Sequence, residues 1–173
     1  MATLEDWKKF IASNPEAQRE YRTIELYHSQ FAAVHRFVFS SSVTLSAGLE
    51  AGAPRNAGET VAFQAATGII TEPAERQDSE QVLGVAFGSV DGTLHDMLAR
   101  ITGVGYFEPV QVVYRKYYSG DLTQPAVDPL YLFAAGLNFD GPTQVTFSAE
   151  DSDLSQKRAG TLYTTEQFPG LAE

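Results

Sequence analysis

Tyr21-Arg-Thr-Ile-Glu-Leu-Tyr-His28 and Val34-His-Arg-Phe-Val-Phe-Ser-Ser41 decide how this chain folds. In the first run Ile24, Leu26 and His28 alternate with Glu25 and Tyr27. In the second, Phe37 and Phe39 alternate with Arg36, Val38 and Ser40. A period of two sends successive side chains to opposite faces, so both runs predict strands, joined as a hairpin around Ser29–Ala33. Working outward, further runs rich in Val, Phe and Tyr lie at Thr60–Ala65, Gly68–Thr71, Gln81–Phe87, Val110–Tyr118, Leu130–Phe139 and Thr143–Ala149. Gly, Pro and Asp punctuate them. Helical spacing occurs twice. Leu4, Trp7, Phe10 and Ile11 predict an amphipathic helix over residues 3–14, capped by Thr3 and ended by Asn14-Pro15. Leu94, Met97, Leu98 and Ile101 predict a short helix over Thr93–Ile101, stopped at Gly103. Seven or eight short strands with so little helix predict a mainly β domain, a sandwich or barrel rather than a βαβ fold.

The chain has 173 residues, 43% of them apolar, enough for one domain with a sizeable core spanning residues 1–173. There is no cysteine, which removes disulfides, thiolate metal sites, iron–sulfur clusters and cysteine nucleophiles. Twelve Lys and Arg against twenty-two Asp and Glu give a formal charge of -10, which argues against wrapping nucleic acid or binding an anionic membrane. No apolar run reaches the roughly 18 residues of a bilayer span, and Met1–Lys9 lacks the apolar stretch of a secretory signal. The expectation is a soluble acidic domain that folds in a reducing compartment.

The motifs of chemistry do not appear. His28, His35 and His95 lack metal-ligand spacing, and His28, on the Ile24/Leu26 face, reads as a hydrogen-bonded core histidine. Phe87-Gly-Ser-Val-Asp-Gly92 lacks the spacing of a phosphate loop or a nucleophile elbow, and Gly103-Val-Gly105 follows a predicted helix instead of opening one. Glu150-Asp151-Ser152-Asp153 lacks the glycine and distal glutamate of a calcium loop. The remaining acids are scattered through turns. No catalytic residue, cofactor or metal site is therefore expected. Two loops stand out: Ala47–Gly58, small and flexible in composition, reads as an exposed arm that orders on assembly, and Asp121–Pro129 reads as a second loop. One charge pattern is informative. The forty residues between Lys116 and Lys157 contain six acids and no base. A sheet face or rim built from them is negative and repels a polyanion.

The run Lys157-Arg-Ala-Gly-Thr-Leu-Tyr-Thr-Thr-Glu-Gln-Phe-Pro-Gly-Leu171 resembles the ending of a family of small phage and prophage proteins, a domain of unknown function whose members are often described as minor tail proteins. Arg158, Tyr163, Phe168, Pro169, Gly170 and Leu171 stand where that ending has its arginine, tyrosine and Phe-Pro-Gly-Leu. The start is similar as well, a short amphipathic helix ending in Ser13-Asn14-Pro15, then Thr-Ile-Glu-Leu-x-His within Tyr21–His28. The resemblance implies a tail-tube-like β-sandwich or barrel at the tip of a long non-contractile tail, in the virion after assembly in the host cytoplasm. It places the chain near the minor tail protein between the distal tail ring and the receptor-binding hub of lambda-type phages. Some relatives there carry a cysteine-rich extension that binds an iron–sulfur cluster. This chain has no cysteine to bind one.

On that reading the protein is a homo-oligomer, six copies favoured and three compatible. Its partners are the tail tube or distal tail ring, the tape-measure protein and the central hub protein, and no membrane. Genomic DNA passes through without specific binding. The C-terminal residues Arg158, Tyr163 and Phe168–Leu171 are then assembly contacts in an extended tail over 157–173, and Asp121, Asp128, Asp140 and Glu150 are the acids expected along the DNA channel. The alternative is a stand-alone carbohydrate- or peptide-binding β-sandwich, whose signature is a face of exposed aromatics drawn from Tyr114, Tyr117, Tyr118 and Tyr131.

Overall fold

The computed structural model describes residues 19–72, 82–88, 96–98, 100–102, 108–140 and 144–151. Nine strands run through them: β1 (Glu20–Tyr27), β2 (His35–Phe39), β3 (Leu45–Gly48), β4 (Thr60–Ala65), β5 (Gly68–Thr71), β6 (Val82–Phe87), β7 (Gln111–Tyr118), β8 (Leu130–Asp140) and β9 (Gln144–Glu150). Each run read from the sequence returns as a strand within two residues of its expected bounds. The additional strand is β3, inside a stretch whose small residues gave it no pattern. The domain is mainly β. The expected helix over 3–14 and the tail over 157–173 lie outside the described residues. Of the expected helix at Thr93–Ile101, residues 96–98 are helical, with Met97 and Leu98 buried.

The strands form one sheet in the order β3-β4-β2-β1-β7-β8-β9-β6-β5, not two stacked sheets. Every pairing is antiparallel except that of β2 with β4. Chain connectivity then dictates the shape. β4 pairs with β2 near one end of the order and β5 pairs with β6 at the other, yet only Ala66 and Thr67 separate them. Two residues reach only about 7 Å. The sheet must therefore coil until β6 comes round to β2, and it does: the Phe87 ring centroid lies 5.2 Å from that of Phe37 and 5.1 Å from that of Phe39.

The coil fills its interior with alternate side chains: Ile24 and Leu26, Phe37 and Phe39, Ile70, Leu83, Val85 and Phe87, Val112 and Tyr114, Leu132, and Val145, Phe147 and Ala149. Gly68 sits at the turn from β4 into β5, where a Cβ would lie 2.2 Å from the Ala86 carbonyl oxygen, so no other residue fits. Gly136, at φ 61°, supplies the left-handed residue of a bulge where the β8–β9 register shifts between Ala135 and Asn138. His28 is fully buried, as expected of a core histidine; its Nδ1 accepts the Gln30 N–H at 3.1 Å, so Nε2 donates to the Glu108 carbonyl, also at 3.1 Å.

Phe87 touches rings on both sides of the seam. Phe87→Ala is expected to lower stability by about 3–5 kcal/mol, a loss readable as a shift of the urea midpoint with little change in slope.

Candidate functional site

The alternation that sends Ile24, Leu26, Val112 and Tyr114 inward sends Thr23, Glu25, Val38, Val113, Arg115 and Tyr117 outward. Such a face ordinarily meets water. Here β3, β4 and the arm between them (residues 49–59) fold across it. Val38, Leu45, Ala47, Leu49, Ala53, Phe63 and Tyr117 make a second apolar layer. The stretch Ala47–Gly58 is thus not the exposed arm its composition suggests: Ala47, Gly48, Leu49 and Ala53 are buried, and apolar contact rather than assembly holds it.

Closing this layer buries charge. Glu25 is 0% and Arg115 1% exposed. Arg115 forks onto Glu50 of the arm, Nε to Oε2 and Nη2 to Oε1, both at 2.8 Å, and its Nη1 reaches Glu25 Oε2 at 3.4 Å. Arg36 Nε donates to the same Glu25 oxygen at 2.9 Å, and its Nη2 donates to Asn56 Oδ1 at 2.8 Å. Tyr131 donates to Glu50 Oε1 at 2.7 Å, and Tyr117 to the Gly48 carbonyl at 3.0 Å. At the arm's far side the Arg55 guanidinium lies 3.3 Å from the centre of the Tyr27 ring and donates to Gln111 at 2.7 Å. Burial alone would raise the Glu50 carboxyl, but the donors Arg115 and Tyr131 outweigh it and hold it below its ordinary 4.5. Burial and the bond to Glu50 push Tyr131 up to about 12. Burial also opposes charge on Arg115, yet Glu50 and Glu25 keep it above its ordinary value.

A second cluster closes one mouth of the coil. Past Ile24 and Tyr114 the inward positions turn polar, with Glu20 and Arg22 on β1 and Lys116 on β7. Glu72, just beyond β5, gathers them: it accepts from Tyr114 at 2.9 Å, pairs with Arg22 at 3.3 Å and takes a hydrogen bond from Lys116. Burial would raise Glu72, but Lys116 and Tyr114 hold it below 4.5. Burial, reinforced by Glu72, raises Tyr114 well above its ordinary value. Both clusters have carboxylates held ionised and phenols held protonated. They hold and orient neighbouring segments, and none of these groups is poised to exchange a proton near neutrality.

The four acids named from the sequence are spread along β8 and β9. Asp121 is exposed in the turn after β7, where bonds from Thr123 hold it below its ordinary 3.8, and Asp128 is exposed just before β8. Asp140 ends β8, opposite Gln144, at the other end of that strand. Glu150 ends β9 on the outer face and accepts from Ser148 at 3.1 Å. Arg158, Tyr163, Phe168, Pro169, Gly170 and Leu171 lie outside the described residues. The tyrosines expected to share a face do not. Tyr114 and Tyr118 alternate with Tyr117 along β7; Tyr114 and Tyr117 are buried, and Tyr131 is exposed on the outer face. The buried Glu25–Arg115–Glu50 cluster went unread, although its signal was present: one arginine among Val112, Val113, Tyr114 and Tyr117, and one glutamate between Ile24 and Leu26. Among the described residues no group of three or more His, Cys, Asp or Glu side chains is placed to hold a metal ion, and no helix is long and apolar enough to cross a membrane.

Residues 7–163 match the model of a family described as "Domain of unknown function (DUF1833)". No curated protein matches the chain.

Glu50→Ala leaves the buried Arg115 with its long contact to Glu25 alone and is expected to cost about 3–5 kcal/mol by denaturant unfolding, against less than about 0.5 for the exposed Glu59→Ala. The pH dependence has a definite sign. Glu50 and Glu72 lie below 4.5 in the folded chain, so on acidification the unfolded chain takes up protons first. Stability is full above that value and is lost as pH falls through the lower folded values. Thermal midpoints should stay level down to about pH 5 and drop below it, with a shallower drop in Glu72→Gln.

Proposed function

The chain belongs to the DUF1833 family, and on that premise we propose that it is a structural component of the distal tail or tail tip of a long non-contractile-tailed phage. In this reading it forms part of the ring or hub that joins the tail tube to the receptor-binding hub and lines the DNA channel. The observation that carries the reading is the outer face of β8 and β9. The arm covers the outer face of β1, β2 and β7 and stops short of this one. Its outward positions are Tyr131, Phe133 and Ala135 on β8 and Thr146, Ser148 and Glu150 on β9, with Asp121 and Asp128 beyond one end and Asp140 at the other. No base occurs between Lys116 and Lys157. A channel running along these strands meets acids at both ends and no cation to retain phosphates, and DNA carries one negative charge per roughly 1.7 Å.

The compact coil with its locked arm suits a rigid ring subunit. The C-terminal motif of the resemblance, Arg158, Tyr163 and Phe168–Leu171, supplies the assembly contacts, with six copies favoured and three compatible. The stand-alone sugar-binding alternative loses its support with the tyrosines, which divide between two faces.

Electron microscopy of the chain assembled with tail tube and hub is expected to show a ring with the β8–β9 outer face toward the lumen. Asp121→Lys with Asp128→Lys is expected to slow DNA ejection without reducing particle number. A chain that stays outside purified tails, or a lumen lined by lysine and arginine, overturns the proposal.

A further inference from the structure

The two ends of the sheet are treated differently. At β3 the Gly48 N–H donates to the Leu122 carbonyl at 2.7 Å, and a Cβ on Gly48 would fall 2.0 Å from the Thr123 carbonyl oxygen. Residues 121–123 therefore cover that edge. At β5 no strand among the described residues pairs with the free edge. The Gly88 N–H bonds to Thr67 O at 2.9 Å, which makes Thr67 and Gly88 a bonded pair. By alternation Ile69 and Thr71 turn their backbone groups to β6, and Gly68 and Ile70 turn theirs away. The edge has no charge and no proline, and Ile69 beside it is 70% exposed. Edges of this kind invite a strand.

We propose that the chain's own C-terminal run supplies it, with Thr161–Thr165 adding to β5 as an antiparallel strand. Three observations select this occupant over a neighbouring molecule. β9 and β5 both pair antiparallel with β6, so they run in the same direction. Glu150 ends β9 opposite Val82, two residues past the level where Thr71 ends β5 opposite Gly84. The chain leaves β9 at the end of β5 from which an antiparallel strand must start. The position beyond β5 is three strand spacings from β9, about 14 Å. Residues 152–160 reach about 30 Å when extended. Thr161-Leu-Tyr-Thr-Thr165 has the branched and aromatic composition of a strand, and the nearest proline is Pro169. The family match runs on to Tyr163, twelve residues past Asp151, so this run belongs to the domain rather than to an appended arm. A segment tethered this closely has an effective concentration in the millimolar range, which outcompetes the same segment from another copy.

The test uses the absence of native cysteine. Ile69→Cys is combined in the full chain with Leu162→Cys, Tyr163→Cys or Thr164→Cys, and each pair is oxidised at low protein concentration. At least one pair is expected to close a disulfide within a monomer. Hydrogen exchange supplies the second readout: the Ile70 amide is expected to exchange at least tenfold faster when the chain stops at Asp151, with β1 and β7 amides unchanged. Disulfides that form only between chains assign the edge to a second copy and overturn the proposal. So does the failure of every pair to oxidise, or an Ile70 amide as fast in the full chain as in the shortened one.

Discussion

The structure hangs on the short link Ala66–Thr67. A strand that pairs near one end of the sheet order and, two residues later, at the other leaves the sheet no freedom to lie flat. Coiling gives it an inside, and the inside explains the interior residues: Phe37, Phe39, Phe87 and Phe147 cluster where the seam closes, because large rings fill the space between strands that meet without a full ladder of hydrogen bonds. It also explains Gly68, where the chain passes too close to β6 for any side chain.

Coiling leaves the outer face of β1, β2 and β7 in need of a cover, and the cover brings the charges. An arm held only by Leu49 and Ala53 could settle in several ways on an apolar strip. Glu50 has one place to go, because the planar fork of Arg115 accepts a carboxylate in a single geometry and Tyr131 adds a third donor. A buried pair of this kind adds little net stability over an apolar packing of the same shape, but misplacing it strands a charge. The cluster therefore fixes where the arm lies more than how tightly it is held.

The strands were legible because their faces differ in environment, which writes a period of two into Tyr21–His28 and Val34–Ser41. The inner face of β7 was legible for the same reason. β3 was not, since Leu45-Ser-Ala-Gly48 is too short and too small in its side chains to show a period. The arm was misread because Ala47, Gly48 and Ala53 are small for a packing reason: β3 lies against the 121–123 turn, with Thr123 on Gly48. Small residues signal flexibility and close approach alike, and only the partner tells them apart. Arg115 and Glu25 could be flagged as odd in apolar strands, but their third member, Glu50, sits sixty-five residues from Arg115, and nothing local connects them.

The unequal ends of the sheet constrain how copies of this chain can meet. A ring needs two different surfaces on each subunit, the back of one fitting the front of the next. Pairing β5 with β5 is self-complementary and stops at two. Pairing β5 with β3 would build a ring, but residues 121–123 occupy the β3 edge at Gly48. With β5 covered by the chain's own C-terminal run, neither edge is offered, which is how a β protein present at high local concentration avoids uncontrolled growth. Ring contacts then fall to faces and loops, and Phe168–Leu171, beyond the added strand, remain available to a neighbour. One segment would serve twice, Thr161–Thr165 sealing the subunit and the residues after it joining the next.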